Sequence, residues 1–175
     1  MQNNLLIIGA GIYGEVAKEI AESMALFDRI DFLDDRASQT PLGGCVIGTT
    51  EQLSAWRGEY ANVVVAIGNP TVRASLLERI KQDGAYRIAT LISPLAFVSK
   101  TASVGCGCIV EPMAVVHAGC VLEEGCLISA GAVVNHASTC GCCVHVDCNA
   151  TVAGYATVPA GTKVPAGTVY TKQEQ

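Results

Sequence analysis

An apolar residue returns every sixth position through the second half of the chain, without insertion or deletion: Val98, Val104, Val110, Val116, Leu122, Ile128, Val134, Cys140, Val146, Val152, Val158, Val164 and Tyr170. Two residues before each stands a small or short side chain, running from Ala96, Ala102 and Cys108 through Ala132 and Ser138 to Thr168. A period of six suits neither a helix at 3.6 nor a plain alternating strand, so the chain must coil. Hexapeptide repeats of this kind predict a parallel β-helix, in which each short strand buries its branched residue and stacks on the equivalent strand one coil later. The narrow interior has no room for two large side chains per strand, which accounts for the small second register. This coil is expected over Val98 to Lys172.

Charge separates the coil from what precedes it. Of the 27 Asp, Glu, Lys and Arg residues, 19 fall in the first 97 positions, which places a boundary near Leu91 to Pro94 and two domains at 1–92 and 93–175. A net charge of -5 without any Lys/Arg cluster argues against nucleic acid or an anionic membrane surface as partner. No apolar run reaches the ~18 residues of a membrane span, and Met1-Gln2-Asn3-Asn4 leads straight into a strand, so a cytoplasmic location is expected. Cys108, Cys120, Cys126 and Cys140 fall on inward registers, where cysteine acts as a small hydrophobe. The crowd Cys140, Cys142, Cys143 and Cys148 lacks CxxC spacing, so a reduced, structural set is expected and no metal.

In the first half, Leu5 to Ile8 reads as a buried parallel strand that ends in Gly9-Ala10-Gly11-Ile12-Tyr13-Gly14, a GxGxxG turn. Val16, Ile20 and Met24 then mark one face of a helix. Strand, glycine turn and helix form a nucleotide-binding unit, since glycine permits close backbone approach and the helix N-terminus offers unpaired N–H groups to phosphate. A second strand, Ile30 to Leu33, delivers Asp34 and Asp35, placed where such folds hold a ribose or base. A Gly-rich connection through Leu42-Gly43-Gly44 and Gly48 leads to a helix around Glu51 to Arg57, then to a third strand, Asn62 to Ile67, ending at Gly68. Asn69 as cap and Pro70 at the first helical position open a helix carrying Val72, Leu76 and Ile80 on one face. Arg87 to Ile92 closes a small doubly wound α/β domain, whose ligands belong at the carboxyl ends of its strands.

All three histidines, His117, His136 and His145, lie in the coil. Outward positions of a β-helix are ordinarily Gly, Asn, Asp, Ser or Lys, so histidines confined to this half point to catalysis. The glycine turn, Phe32-Leu33-Asp34-Asp35, Ala66-Ile67-Gly68-Asn69, and the coil with Val134-Asn135-His136 and His145 together resemble the sugar O/N-acetyltransferases of the bacterial PglD and NeuD type. The resemblance covers nearly the whole chain. It implies an N-terminal Rossmann-like domain that binds a nucleotide-sugar, followed by a left-handed β-helix that forms a homotrimer and binds acetyl-CoA between neighbouring subunits. It implies His136 as general base, His145, Gly154 and Ala166 at the acetyl-CoA site, with the Gly154 N–H toward the thioester carbonyl, and Gly11, Ile12, Tyr13, Asp34, Asp35 and Gly68 around the acceptor. The implied reaction is acetyl transfer to the amino group of a nucleotide-linked amino-sugar, with no metal. The chemistry suits an imidazole, whose pKa near ~6.5 fits it to take a proton at neutral pH.

The chain departs from the family at three places. Ala137 stands where relatives carry Asp or Glu after the histidine, so the orienting acceptor must be a backbone carbonyl or a carboxylate such as Asp147 from a neighbouring subunit; otherwise His136 is a weaker base. Tyr13 stands where relatives often have histidine. The chain ends at Gln175, soon after the thirteenth register position, and weaker CoA binding is the expectation from that. If three strands make one coil, His136 and His145 are half a circuit apart, which predicts an active site shared across a subunit boundary. Sialic acid O-acetylation is the alternative acceptor chemistry. A γ-carbonic-anhydrase-like metalloenzyme and an inactive β-helix binding protein are the alternatives of other classes.

Overall fold

The computed structural model describes residues 3–171; Met1, Gln2 and residues 172–175, with the expected end of the coil at Lys172, lie outside the described residues. The chain divides into two compact units, Met1–Ala89 and Thr90–Gln175.

The first unit runs β1 (Leu5–Ile8), α1 (Ile12–Met24), β2 (Ile30–Leu33), β3 (Val46–Gly48), a 3₁₀ helix (Thr50–Trp56), β4 (Asn62–Val65), α2 (Pro70–Asp83) and β5 (Arg87–Ile88). The strands form one parallel sheet in the order β3-β2-β1-β4-β5. β1 and β4 are buried throughout, as their unbroken apolar runs require. The connections after β1 and β4 leave in opposite directions along the sheet, so the crevice between their carboxyl ends is where a ligand belongs.

Gly9 and Gly14 are required by this packing. Gly9 has φ +106, and a Cβ there would lie 2.8 Å from the Ala66 carbonyl oxygen. A Cβ at Gly14 would lie 2.1 Å from the Gly9 carbonyl oxygen and 3.3 Å from the Phe32 ring. α1 therefore rests on the sheet through Gly14, Ala17 and Ala21, together with Ile20; Val16 and Met24 are only half-buried.

Three expectations are corrected. The Gly-rich connection contains an edge strand, β3, so Asn62–Val65 is the fourth strand of the sheet. On α2 the buried residues are Arg73, Leu77 and Ile80, while Val72 is exposed and Leu76 half-buried. The cause is Arg73, whose Nη1 donates to the carbonyls of Ile67 at 2.6 Å and Gly68 at 3.1 Å, turning the helix so that its arginine face is inward. The capping expectation holds, since Asn69 Oδ1 accepts from the backbone of Thr71 at 3.0 Å and Val72 at 3.1 Å. The strand expected over Arg87–Ile92 is split: β5 completes the first sheet, and β6 (Leu91–Ile92) pairs with a strand of the second unit.

The second unit is a left-handed parallel β-helix. After β6 come β7 (Phe97–Val98), β8 (Ser103–Val104), β9 (Ile109–Val110), β10 (Val115–Val116), β11 (Val121–Leu122), β12 (Leu127–Ile128), β13 (Val133–Val134), β14 (Thr139–Cys140), β15 (His145–Val146), β16 (Thr151–Val152), β17 (Thr157–Val158), β18 (Lys163–Val164) and β19 (Val169–Tyr170). They stack into three sheets, β19-β16-β13-β10-β7, β17-β14-β11-β8 and β18-β15-β12-β9-β6, so each strand pairs with the one a full coil away, as Val115 with Val133. Both repeat registers point inward: Val110, Val116, Leu122, Ile128, Val134 and Val146 interleave with Cys108, Ala114, Cys120, Cys126, Ala132 and Val144 in one core. Burying each branched side chain contributes roughly 1.5–3 kcal/mol, repeated along the coil. All nine cysteines are free thiols, and Cys108, Cys120, Cys126 and Cys140 are buried in that core. Burial pushes the Cys140 thiol up to about 12. Among the described residues no helix is long and apolar enough to cross a membrane.

Candidate active site

In the first unit the carboxyl ends of β1, β2 and β4 open onto a cavity of about 630 Å³ lined by Gly9, Asp34, Asp35, Arg36, Ile67 and Arg79, among others. A second cavity, of about 500 Å³, is bounded by Ala10, Gly11, Asp34, Arg36 and Thr40. Asp34 and Arg36 line both. Of the residues expected here, Gly11, Asp34 and Asp35 are thus brought to cavity walls. Ile12 is exposed and Tyr13 half-buried at the start of α1. Gly68 is tied through its carbonyl to Arg73.

The glycines sort by cause. Gly9 and Gly14 serve the fold, whereas a Cβ at Gly11 or Gly68 would meet nothing within 4 Å, and neither has positive φ. No packing demand accounts for glycine at those two positions; an unobstructed approach to backbone is what they provide.

Both carboxylates already have backbone partners. Asp34 Oδ2 accepts from Ala10 N at 2.8 Å, and its Oδ1 from Arg36 N at 2.8 Å and Ala37 N at 3.0 Å, so it braces the glycine turn. Burial pulls this carboxyl upward, but the three N–H donors, helped by the Arg36 charge, outweigh that and hold it below the usual carboxylate range. Asp35 takes the Thr50 N–H at 2.8 Å and the Thr50 hydroxyl at 3.0 Å, fixing the start of the 3₁₀ helix. Arg79, anchored to the Thr50 carbonyl at 2.6 Å, and Arg36 add positive charge to the cavity. Sequence reading missed both, because isolated arginines on a loop and a helix carry no pattern.

In the second unit His136 lies at an exposed corner two residues beyond the end of β13. Its Nδ1 and its backbone N both lie 2.8 Å from Asn135 Oδ1. The backbone N–H can only donate, so the shared atom is the amide oxygen, and Nδ1 must carry a proton to bond it as well. Nε2 is then left with its lone pair, as a base requires. One coil on, Gly154 faces that atom: a Cβ there would stand 2.8 Å from Nε2 and 2.9 Å from Cε1. Tyr155, exposed, sets its ring edge-on to the imidazole with centroids 5.1 Å apart, and its N–H donates to the His136 carbonyl at 3.0 Å. Within this chain the acceptor at Nδ1 is the side chain immediately before His136, which the sequence did not single out.

His145 opens β15, on a different sheet from β13. It is buried, with Nε2 3.1 Å from Ser129 Oγ and 3.9 Å from Asp147 Oδ1. Asp147 is paired with Lys163 at 2.8 Å; that hydrogen bond above all, against the upward pull of burial, holds its carboxyl below the usual range. Ala166 is exposed on the last turns of the coil, and His117 is exposed one coil before the Asn135 position. Among the described residues, no three His, Cys, Asp or Glu side chains are grouped so as to hold a metal ion.

Residues 4–80 match the family model described as the PglD N-terminal domain. The chain is 32% identical over 111 residues to the UDP-N-acetylbacillosamine N-acetyltransferase of Bacillus subtilis (strain 168); the match takes in 61% of this chain and spans only half the length of that curated relative. Among solved structures, the acetyltransferase domain of PglB from Neisseria gonorrhoeae FA1090 superposes with a TM-score of 0.87 at 31% identity, covering 97% of this chain and 91% of that one. The same domain in complex with acetyl coenzyme A gives 0.86 at 30% identity, over 98% and 94%. PerB from Caulobacter crescentus shares the fold, with a TM-score of 0.82 at 23% identity over 97% and 89%.

Proposed function

Because the chain belongs to the family of PglD-type sugar acetyltransferases, we propose that it transfers the acetyl group of acetyl-CoA to the amino group of a nucleotide-linked amino-sugar, with His136 as the general base. The observation that carries this reading is the state of His136: Nδ1–H is committed to Asn135 and the bare Nε2 faces Gly154, where nothing but hydrogen could stand without touching the ring. The activity named for the Bacillus relative and the acetyl coenzyme A bound by the Neisseria domain support the choice of donor and acceptor.

In the proposed step the acceptor nitrogen attacks the thioester carbonyl while Nε2 takes the proton it loses. The tetrahedral intermediate collapses, the C–S bond breaks, and CoA leaves as thiol with the proton returned by the imidazolium. A backbone N–H near Gly154 meets the developing oxyanion, a contribution of roughly 3–4 kcal/mol when well placed. His145, Gly154 and Ala166 contact acetyl-CoA, and Gly11, Ile12, Tyr13, Asp34, Asp35 and Gly68 hold the nucleotide-sugar in the 1–92 domain. His136 and His145 stand on different sheets of one coil, which supports a homotrimer whose active sites pair His136 of one subunit with His145 of the next. We place the protein in the cytoplasm, where acetyl-CoA and nucleotide-sugars occur.

The test is turnover of acetyl-CoA with a panel of UDP-, GDP- and dTDP-linked amino-sugars and sialic acid, followed by loss of thioester absorbance so that the exposed cysteines do not interfere. Turnover with an amino-sugar and its loss in H136A support the reading. No turnover with any acceptor overturns it. Mixing H136A with H145A, each inactive alone, should restore activity in hybrid trimers; no recovery counts against the shared site.

A further inference from the structure

We propose that Asn135 is the positioning residue of the base, doing through a neutral amide oxygen what a carboxylate after the histidine would otherwise do; this rests on the acetyl-transfer reading of His136. The residue following His136 cannot serve. Ala137 has no acceptor, and it occupies a left-handed corner at φ 54 with its N–H given to the Ala118 carbonyl at 2.9 Å.

Asn135 is held so that its side chain can. Its own N–H donates to the Val152 carbonyl at 3.0 Å, and its carbonyl accepts from the Ser138 hydroxyl and from the Cys120 thiol at 3.0 Å. The backbone is thus pinned from the next coil, from the corner and from the core, independently of the amide. From this fixed base Oδ1 accepts two N–H groups of His136, one main-chain and one ring, each at 2.8 Å. The main-chain bond fixes which end of the amide is oxygen, and the ring bond fixes the tautomer. A free imidazole prefers its proton on Nε2, so without the amide the lone pair would stand mostly on the wrong nitrogen. Tyr155 and Gly154 border the ring on its other sides but offer Nδ1 nothing. An amide oxygen carries no full charge, so it sets the tautomer and orientation while adding less to the basicity of the ring than a carboxylate does.

The experiment compares wild type, N135A and N135D, with the backbone ties leaving each variant folded. Nitrogen NMR of 15N-histidine-labelled protein, with the His136 signals assigned by their loss in H136Q, should show Nδ1–H in wild type and in N135D. In N135A the Nε2–H form should dominate. In steady-state assays N135A should lose about 10- to 100-fold in kcat, part of the 10²–10⁴ a positioned general base supplies, with the KM for acetyl-CoA unchanged. N135D should recover most of that loss, because it restores the acceptor. An N135A protein that keeps Nδ1–H, or one that changes tautomer yet keeps its kcat, overturns the proposal. If the tautomer responds as described while wild type turns over no acceptor, the acetyl-transfer reading falls and the assignment of Asn135 to the ring stands.

Discussion

Replacing Gly154 by alanine tests the geometry around the base most directly. The added methyl would lie 2.8 Å from His136 Nε2, 2.9 Å from Cε1 and 3.4 Å from Cδ2, and the φ of Gly154 is outside the left-handed region, so its backbone suits alanine. Ordinary heavy-atom contacts sit at roughly 3.5–4.0 Å, so the ring must withdraw by about 0.7 Å. That is comparable to the difference between the 2.8 Å bond to Asn135 and no bond at all. A misplacement approaching 1 Å at a reacting centre costs about 100-fold in rate. The imidazole is exposed, and the ring can move toward solvent at the expense of its one bond to Asn135, so stability should change by no more than about 0.5 kcal/mol. G154A should therefore keep its unfolding curve and lose about two orders of magnitude in kcat. G141A is the matched control: its methyl would press on Ala160 N at 2.7 Å and Ala160 Cα at 3.0 Å, which are backbone and cannot swing aside. It should lower stability instead. A G154A protein with wild-type kcat, or a crystal structure of it with the ring unmoved, would refute the reasoning.

Two further outcomes concern the first unit. G14A should destabilise it by about 1–3 kcal/mol in urea unfolding, since its methyl would stand 2.1 Å from a main-chain oxygen that the sheet holds in place; an unchanged midpoint would show that α1 can lift away. The Asp34 carboxyl is held below its unfolded value of about 3.9, so its stabilisation is fully present above that pH and is lost as pH falls through the lower folded value. D34N should accordingly flatten the acid limb of stability below about pH 4, and a wild-type acid limb in that variant would show that the three backbone bonds do not favour the ionised form.

The coil was legible almost residue by residue, because a six-residue beat in a parallel stack leaves each position one direction to face. The first unit was legible in its strands and caps but not in β3 or in the face of α2. Val46–Gly48 is three residues long at a sheet edge and only half-buried, too short and too mixed to show a period. On α2 the aliphatic spacing of Val72, Leu76 and Ile80 pointed inward, yet an arginine bonded to two carbonyls decided the orientation. His136 stood out by residue type. Asn135 did not, because asparagine at a coil corner is ordinary, and only the shared 2.8 Å contacts distinguish it.

The corners themselves show how a repeat makes room for chemistry. From Gly107 to Gly167 a residue with positive φ recurs every sixth position, and Gly107, Gly119, Gly125, Gly131, Gly161 and Gly167 supply six of these. Of the five that are not glycine, Ala137, Cys143, Asn149 and Tyr155 are consecutive corners. Each left-handed residue with a side chain costs roughly 1–2 kcal/mol, less for asparagine, and none of the other corners but Met113 incurs it. The run begins one residue after His136 and ends one residue after Gly154, so the local cost brackets the proposed base and the glycine that faces it. Tyr155 shows what the cost yields: a glycine there would keep the N–H bond to the His136 carbonyl but lose the ring that stands edge-on to the imidazole. A repeat selected for stacking alone would keep glycine at these four corners. Met113 apart, the coil gives up that stability along the stretch that carries His136, which is the pattern a site imposes on a scaffold.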